Sequence, residues 1–213
     1  MGAVVELEGI SMSFGSLQVI DGLSLRLEEG EALGVVGPNG AGKTTMLNLI
    51  AGSLRPDRGR ILFCDRDVTR VSPHGHCRMG IARTFQIPRP FGGMTVFENV
   101  LVGASYGRPR SDGDAEEASV AALEEVGLLT KANAIAGSLP LLERKRLELA
   151  ATIREVRAGG VSIIWIEHIV HALLSVVDRL VAMDFGRKIV EGDPQTVMAS
   201  PEVRSVYLGA DAS

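Results

Sequence analysis

The chain has 213 residues, of which 46% are hydrophobic, 23% charged and 4% aromatic, an ordinary composition for a globular protein. This composition excludes global disorder, and folding at this length buries roughly 70% of the unfolded chain's surface, enough for a core without disulfides or metals. Lysine and arginine total 22 against 26 aspartates and glutamates, so the net charge of −4 argues against nucleic acid as a partner.

Cysteine content and hydropathy indicate the cellular compartment of the protein. Cys64 and Cys77 are too few for a disulfide framework and are compatible with a reducing cytosol. No apolar run approaches the roughly 18 residues that a membrane span needs, and Glu6 and Glu8 stand where a signal peptide would be basic and then apolar. We therefore expect a soluble protein that remains in the cytoplasm.

The N-terminal part of the chain predicts edge strands followed by a buried strand. Apolar residues alternate over residues 4–7 and 19–27, which predicts two antiparallel strands with a turn at residues 14–16. Residues 32–36 form a continuous apolar run, as in a strand that is buried on both faces of a parallel sheet. Helical spacing over residues 44–51 completes a strand–loop–helix unit, which is half of an α/β repeat.

A small helical lobe is expected in the middle of the chain, and the sheet resumes after it. Thr95 and Glu98 form a capping box at the start of the first lobe helix. We predict one domain, with a core at about 1–95 and 140–213 and the lobe at about 96–139. The individual predicted elements are strands at residues 60–64, 81–85, 161–166, 180–183 and 188–191, helices at 95–105 and 115–126, and an amphipathic segment at about 169–177.

Residues 37–44 read GPNGAGKT, which matches the phosphate-loop pattern G-x-x-x-x-G-K-[ST] between a buried strand and a helix. Its glycines allow successive backbone N–H groups to turn inward around phosphate oxygens, aided by the helix N-terminus. Lys43 would contact the β and γ phosphates, and the Thr44 hydroxyl would ligate Mg²⁺. The residues expected to hold the nucleotide are Gly37, Pro38, Asn39, Gly40, Ala41, Gly42, Lys43, Thr44 and Thr45.

Longer segments around this loop resemble one protein family. GPNGAGKTT, preceded by VIDGLSLRLEEGEALGVV, is similar to the ATP-binding subunits of ABC transporters. Two further segments, RTFQIPRPFGGMTVFENVLVGA and IEHIVHALLSVVDRLVAMDFGRKIVEGDPQTVMASPEVRSVYLG, narrow the resemblance to the branched-chain amino-acid uptake family. It implies an α/β fold of the P-loop NTPase class: an ABC-type nucleotide-binding domain with an antiparallel β edge subdomain, a parallel core sheet and a helical lobe.

The same resemblance implies a function. It indicates an ATPase subunit of a bacterial importer for branched-chain or related amino acids, with ATP and Mg²⁺ as cofactors. The implied partners are transmembrane permease subunits, a second ATP-binding subunit in a homo- or heterodimer and, indirectly, a periplasmic or lipid-anchored substrate-binding protein. Such a subunit is cytoplasmic and peripheral on the inner face of the cell membrane.

Four residues outside the loop receive roles from the resemblance. Phe14 matches the aromatic residue that stacks on adenine and Val19 the apolar residue beside it; core packing is the alternative for a lone phenylalanine. Gln86 matches the glutamine that meets Mg²⁺ and the attacking water, so it joins Thr44 as an implied metal contact. His168 matches the histidine that contacts the γ-phosphate, and a neutral histidine satisfied after a strand is the alternative. Gln86 and His168 are the implied catalytic residues.

Two segments depart from the family pattern. The LSGGQ-type signature loop reads LPLLE at residues 139–143, with Pro140 at the serine position and Leu142 at the second glycine. Residues 144–148 (RKRLE) still match the helix behind that loop, but residues 147–150 (LELA) run directly into ATIREV at 151–156. The Walker B strand, an apolar strand that ends in Asp-Glu, is not found. We therefore expect that roughly 30 residues are missing relative to the family, one strand and two half-helices.

Other interpretations stand beside the importer subunit. The missing carboxylates favour a nucleotide-binding protein that hydrolyses ATP poorly or not at all; Glu167 and Asp184, which end apolar runs, are weak candidates for substitutes. An unrelated phosphate-loop kinase or GTPase is disfavoured, and the N-K-x-D motif that a GTPase needs is absent. The Asp-Phe-Gly at residues 184–186 spells the protein-kinase tripeptide, but the Gly-rich loop and H-R-D motif that accompany it in kinases are absent. The HGHC run at residues 74–77, with Cys64, is spaced more tightly than zinc sites are.

Overall fold

The computed structural model describes residues 2–83, 90–107, 112–144, 146–147, 162–166, 174 and 177–208. The chain divides into two compact units, one formed by residues 1–72 and 160–213 and the other by residues 73–159. The second unit contains the predicted lobe, residues 96–139, and extends beyond it on both sides. That both units form one functional domain stays a prediction.

An antiparallel sheet opens the first unit. Its strands are β1 (Ala3–Phe14), β2 (Leu17–Glu28), β4 (Arg58–Phe63) and β5 (Arg66–Asp67), in the order β2-β1-β4-β5. Leu7 pairs with Leu25 on one side and with Ile61 on the other, and all three side chains are buried. The predicted antiparallel pair is confirmed, and both strands are longer than the alternation indicated.

A second sheet carries the core of the first unit. Its strands are β3 (Ala32–Val36), β6 (Ile163–Ile166), β7 (Arg179–Asp184) and β8 (Arg187–Gly192), in the order β6-β3-β7-β8. β3 is parallel to both β6 and β7, whereas β8 returns antiparallel to β7. Leu33, Val35 and Val36 are fully buried, so the interpretation of the continuous apolar run as a central strand of a parallel sheet is confirmed.

Among the strands that the structure describes, β6 lies at an open edge of the core sheet. Within the described residues β3 is its only paired neighbour, and Ile163 and Trp165 are 39% and 41% exposed. Strands of parallel sheets are usually covered on both faces, and an apolar edge strand is a ready template for pairing with another chain. The loss of one core strand stays a prediction, since residues 148–161 and 167–173 lie outside the described part of the chain.

Arg179 joins the two sheets of the first unit. Its guanidinium donates to both carboxylate oxygens of Glu31 at 2.6 and 2.8 Å and to the Arg26 carbonyl at 2.6 Å, and it also pairs with Glu191. The hydrogen bonds from Arg179 lower the pKa of the Glu31 carboxyl, although burial opposes them. Since Glu31 immediately precedes β3, this cluster fixes the start of the central strand against β2 and β7.

Helices and short 3₁₀ turns form the second unit. The helices are α2 (Pro73–Met79), α3 (Val96–Gly107) and α4 (Asp112–Glu125). The predicted capping box is confirmed: Glu98 accepts from the Thr95 N–H at 2.7 Å, and the Thr95 hydroxyl accepts from the Glu98 N–H at 3.1 Å. The buried core of this unit comprises Val96, Val100, Ala122, Leu123, Leu128, Ala136, Leu139 and Leu147.

The structure also differs from the sequence predictions. Residues 81–83 form no strand, and the rest of the strand predicted at 81–85, like most of the segment at 169–177, lies outside the described residues. α2 and two C-terminal helices, α5 (Pro194–Ala199) and α6 (Pro201–Leu208), were not predicted. The sequence feature that indicates the start of each of these helices is a proline directly after a capping residue. At α5 the capping residue is Asp193, whose side chain accepts hydrogen bonds from two backbone N–H groups of the helix. Of the described helices, none has the length and apolar character to cross a membrane.

Candidate functional site

The loop at residues 37–42 connects β3 to α1 (Lys43–Ile50) at the carboxyl end of the core sheet. Gly37, Gly40 and Gly42 have φ angles of 152°, 87° and 92°, in a region that side chains rarely adopt. A Cβ on Gly37 would lie 2.2 Å from the Met183 carbonyl oxygen, and one on Gly42 would lie 2.8 Å from the Val19 carbonyl oxygen. The loop is thus packed against its neighbours at both ends, whereas Gly40 faces open space.

The contrast between two of these glycines gives a matched pair of variants. Gly40→Ala carries only the backbone penalty of its positive φ, about 1 to 2 kcal/mol. Gly42→Ala has a similar φ and must also displace the backbone of Val19, so we expect a larger loss in the free energy of unfolding and in affinity for ATP. Urea denaturation and calorimetry check both variants; equal losses for the two would contradict the packing described here.

Lys43 supplies the positive charge of the loop. Its side chain is only 7% exposed, and Nζ donates to the carbonyl oxygens of Gly37 at 2.6 Å and Pro38 at 2.8 Å. Burial lowers the pKa of the ammonium, since desolvation disfavours the charged form. An anion within the loop would restore the favourable environment of this charge, so the lysine is placed to bind phosphate.

The first turn of α1 brings two hydroxyls next to the lysine. Thr44 is exposed and Thr45 half-buried, while Asn39 and Gly40 form the exposed tip of the loop. Glycine N–H groups and a lysine donate the hydrogen bonds that a nucleotide polyphosphate requires, and an exposed hydroxyl oxygen is a suitable ligand for its Mg²⁺. These residues therefore fit the implied cofactors. We therefore retain Thr44 as the proposed metal contact on this helix.

No zinc site accompanies the loop in the part of the chain that the structure describes. This part contains no group of three His, Cys, Asp or Glu side chains able to hold a metal ion. Cys64, His74, His76 and Cys77 all belong to it, and both cysteines are exposed and outside any disulfide. The described residues therefore give no support to a zinc site at the HGHC run.

The β1–β2 hairpin and the β7–β8 hairpin meet beside the phosphate loop. Phe14 ends β1, pairs in register with Leu17 and is 51% exposed, so packing in the core, the alternative for this residue, does not apply. Val19 is half-buried, and its carbonyl oxygen contacts both Gly42 and Gly186 of the turn between β7 and β8. The structure thus brings Val19 to the loop and leaves the Phe14 ring accessible, as an adenine contact requires.

The remaining predicted residues are divided between described and undescribed parts of the chain. Gln86, Glu167 and His168 lie outside the described residues, so their assigned roles stay predictions. Asp184 ends β7, and its carboxylate accepts from the Phe185 N–H at 3.0 Å. This local hydrogen bond is typical of a turn and gives no reason to assign Asp184 to a metal.

The segment at the signature position belongs to the second unit. Leu139 is buried in the core of that unit, whereas Leu141 and Leu142 are exposed. Glu143 is bound to Lys131 at 2.6 Å, and the Arg144 side chain donates to the Leu139 carbonyl at 2.7 Å. The exposed surface here is made of Pro140 and two leucine side chains instead of a serine hydroxyl and glycine N–H groups, so its capacity to bind a phosphate is weak.

Comparison with known proteins gives a consistent set of relatives. The profile of the ABC transporter family matches residues 20–157, and that of the "Branched-chain amino acid ATP-binding cassette transporter" family matches residues 187–213. The branched-chain amino acid transport ATP-binding protein BraF of Pseudomonas aeruginosa is 30% identical, with 97% of this chain and 98% of BraF covered. The lipopolysaccharide export ATP-binding protein LptB of Acidithiobacillus ferridurans is also 30% identical, with 98% of both chains covered.

Solved structures agree with the sequence relatives. The ADP conformation of MJ1267, described as an ATP-binding cassette of an ABC transporter, superimposes with a TM-score of 0.85 at 28% identity, over 98% of this chain and 100% of that one. The alignment with BraF spans 249 positions, more than the 213 residues of this chain, so BraF carries residues that have no counterpart here.

Proposed function

The chain belongs to the ABC transporter family of ATP-binding proteins, and on this premise we propose that it is the ATP-binding subunit of a bacterial importer for branched-chain or related amino acids. The observation that carries the proposal is the phosphate loop, with Lys43 buried between loop carbonyls and glycines packed where no side chain fits. The match of residues 187–213 to the branched-chain family supports the class of substrate.

In this function the loop binds and orients the nucleotide. Backbone N–H groups would donate hydrogen bonds to the phosphate oxygens, Lys43 would neutralise part of their charge, and Phe14 with Val19 would receive the adenine. The Thr44 hydroxyl would help to hold Mg²⁺, which would supply further charge neutralisation at the phosphates. We further propose that Gln86 orients the attacking water and that His168 contacts the γ-phosphate.

The proposed partners follow from the same family membership. The subunit acts in the cytoplasm at the inner face of the membrane, bound to transmembrane permease subunits and paired with a second ATP-binding subunit. A periplasmic or lipid-anchored binding protein delivers the amino acid to the permease. With a serine-free signature segment, the chain contributes little to a partner's nucleotide site.

A second candidate function is favoured by the departures from the family pattern. A nucleotide-binding subunit that hydrolyses ATP poorly would still close around ATP and regulate transport, with turnover supplied by an intact partner subunit. The open edge at β6 and the leucines at residues 141 and 142 are the observations that favour it.

Transport measurements in the host test the importer proposal. Removal of the gene is expected to lower the initial uptake rate of labelled leucine at low external concentration severalfold, and the wild-type chain, but not Lys43→Ala, is expected to restore it. Unchanged leucine uptake with reduced lipopolysaccharide at the cell surface would contradict the proposal and assign the chain to export, the role named for its relative LptB.

A further inference from the structure

The turn between β7 and β8 contains an aromatic residue in an unfavourable backbone conformation. Asp184 pairs with Arg187, so Phe185 and Gly186 form a two-residue turn, with φ angles of 43° and 76°. Turns of this kind prefer Asn or Asp followed by Gly, because both central residues need a positive φ. A phenylalanine at the first position is an outlier, and strained residues of this kind are concentrated at functional sites.

Phe185 also gains nothing from burial. Its side chain is 84% exposed, more than any other large apolar residue in the described part of the chain. Neither turn propensity nor core packing therefore explains an aromatic ring at this position. A ligand that covers the ring would explain it.

The surroundings of the turn indicate which ligand. The Gly186 N–H donates to the Ala41 carbonyl of the phosphate loop at 3.2 Å, and the Gly186 carbonyl accepts from the Asp21 N–H at 3.0 Å. A Cβ on Gly186 would lie 2.3 Å from the Val19 carbonyl oxygen, and Arg187 pairs with Asp21. The turn is thus clamped between the phosphate loop and β2, which carries the proposed adenine contact.

We propose that Phe185 is a second aromatic contact for the nucleoside part of the bound nucleotide, supplied by the β7–β8 turn, in addition to Phe14 from the β1–β2 hairpin. The phosphate groups are already served by the loop and Lys43, and an uncharged ring suits the base and ribose. Stacking on an aromatic ring tolerates any base, so this contact strengthens binding of ATP and GTP alike. The inference rests on the proposed function, since it assumes that the loop binds a nucleotide.

The test replaces Phe185 by the residue that the turn prefers. Phe185→Asn removes the ring and relieves the backbone, so the melting temperature of the nucleotide-free protein is expected to stay equal or rise. The dissociation constant for ATP and GTP is expected to rise about fivefold or more, as for the loss of one base–aromatic stacking contact, while that for inorganic tripolyphosphate stays unchanged. Phe185→Trp keeps a ring and is expected to retain wild-type affinity.

A matched control lies in the other sheet. Cys64 and Asp65 form a second two-residue turn, between β4 and β5, with φ angles of 47° and 61°. Cys64→Asn makes the same change in turn chemistry away from the phosphate loop, so it is expected to alter stability alone and to leave the ATP affinity unchanged.

Three results would overturn the inference or its premise, and they differ from one another. If wild type binds neither ATP nor tripolyphosphate, the proposed function itself fails. If wild type binds ATP and Phe185→Asn binds it equally well, only the role of Phe185 fails. If Phe185→Asn leaves the ATP affinity intact but shifts the sedimentation of the ATP-bound protein from dimer to monomer, Phe185 is a subunit contact and not a nucleotide contact.

Discussion

The purified chain is expected to bind Mg-ATP but to hydrolyse it at least 10² to 10³ times more slowly than an intact relative. Phosphoryl transfer depends on holding the water in line and neutralising charge around the metal, which in this family uses the Asp and Glu of Walker B. Removal of one positioning or electrostatic group typically costs 10² to 10³ in rate, and neither carboxylate of that motif is found in this sequence.

The described residues offer no replacement for these carboxylates. Asp184 is hydrogen-bonded to the N–H of its own turn, and no group of three potential metal ligands is present in the described part of the chain. Gln86 and His168, in their proposed roles, supply contacts but neither is a carboxylate base. The segment at residues 139–143 cannot compensate in a partner's site, because its exposed side chains are Pro140, Leu141 and Leu142, none of which has a polar group.

The hydrolysis rate is measured as steady-state phosphate release. The assay uses a chain of confirmed intact mass, first alone and then mixed with an intact partner subunit. The variants Glu167→Gln and Asp184→Asn serve as controls, and neither is expected to change the residual rate. Turnover near 1 per second that either variant abolishes would show that one of these acids acts as the Walker B carboxylate and that the chain is an efficient ATPase.

Replacement of Lys43 by Ala is expected to weaken ATP binding by roughly 1.5 to 3 kcal/mol, the range for hydrogen bonds to charged groups. The stability of the nucleotide-free protein should change little, because the ammonium is desolvated in that state and its pKa is lowered by burial. Lys188→Ala removes a lysine that pairs with Glu191 and is the charge-matched control. Calorimetry with ATP, together with urea denaturation, separates binding from folding.

The pH dependence of binding gives a second measure of the same residue. Phosphate favours the charged ammonium, so the affinity of wild type for ATP falls as the pH rises through the lowered pKa of Lys43. Lys43→Ala should lack this alkaline dependence. A variant with wild-type affinity, or one with the same pH profile as wild type, would remove Lys43 from the phosphate site.

The sequence predicted those parts of the fold that depend on local patterns. The run at residues 32–36, the capping box at Thr95 and Glu98, and the phosphate loop each have short-range signals, and each forms as expected. α2 was not predicted because Gly75 and two histidines interrupt the apolar periodicity of a helix. The two C-terminal helices were not predicted because each is a short segment that begins with a proline.

Features that depend on tertiary contacts could not be derived in this way. The exposure of Trp165 depends on which strands pair with β6, and the position of Phe185 depends on the packing of Gly186 against Val19 and Ala41. The Asp-Phe-Gly at residues 184–186 matches a protein-kinase motif by coincidence. Nothing in these three residues indicates that they lie next to the phosphate loop.

The open edge of the core sheet gives the protein a built-in optical probe. Trp165 is the only tryptophan in the sequence, it is partly exposed on β6, and it lies in register with Gly34, three residues before the phosphate loop. All indole fluorescence therefore originates at this edge. A blue shift of the emission, or protection from iodide quenching, during assembly with another subunit would signal that β6 has been covered, without any added label.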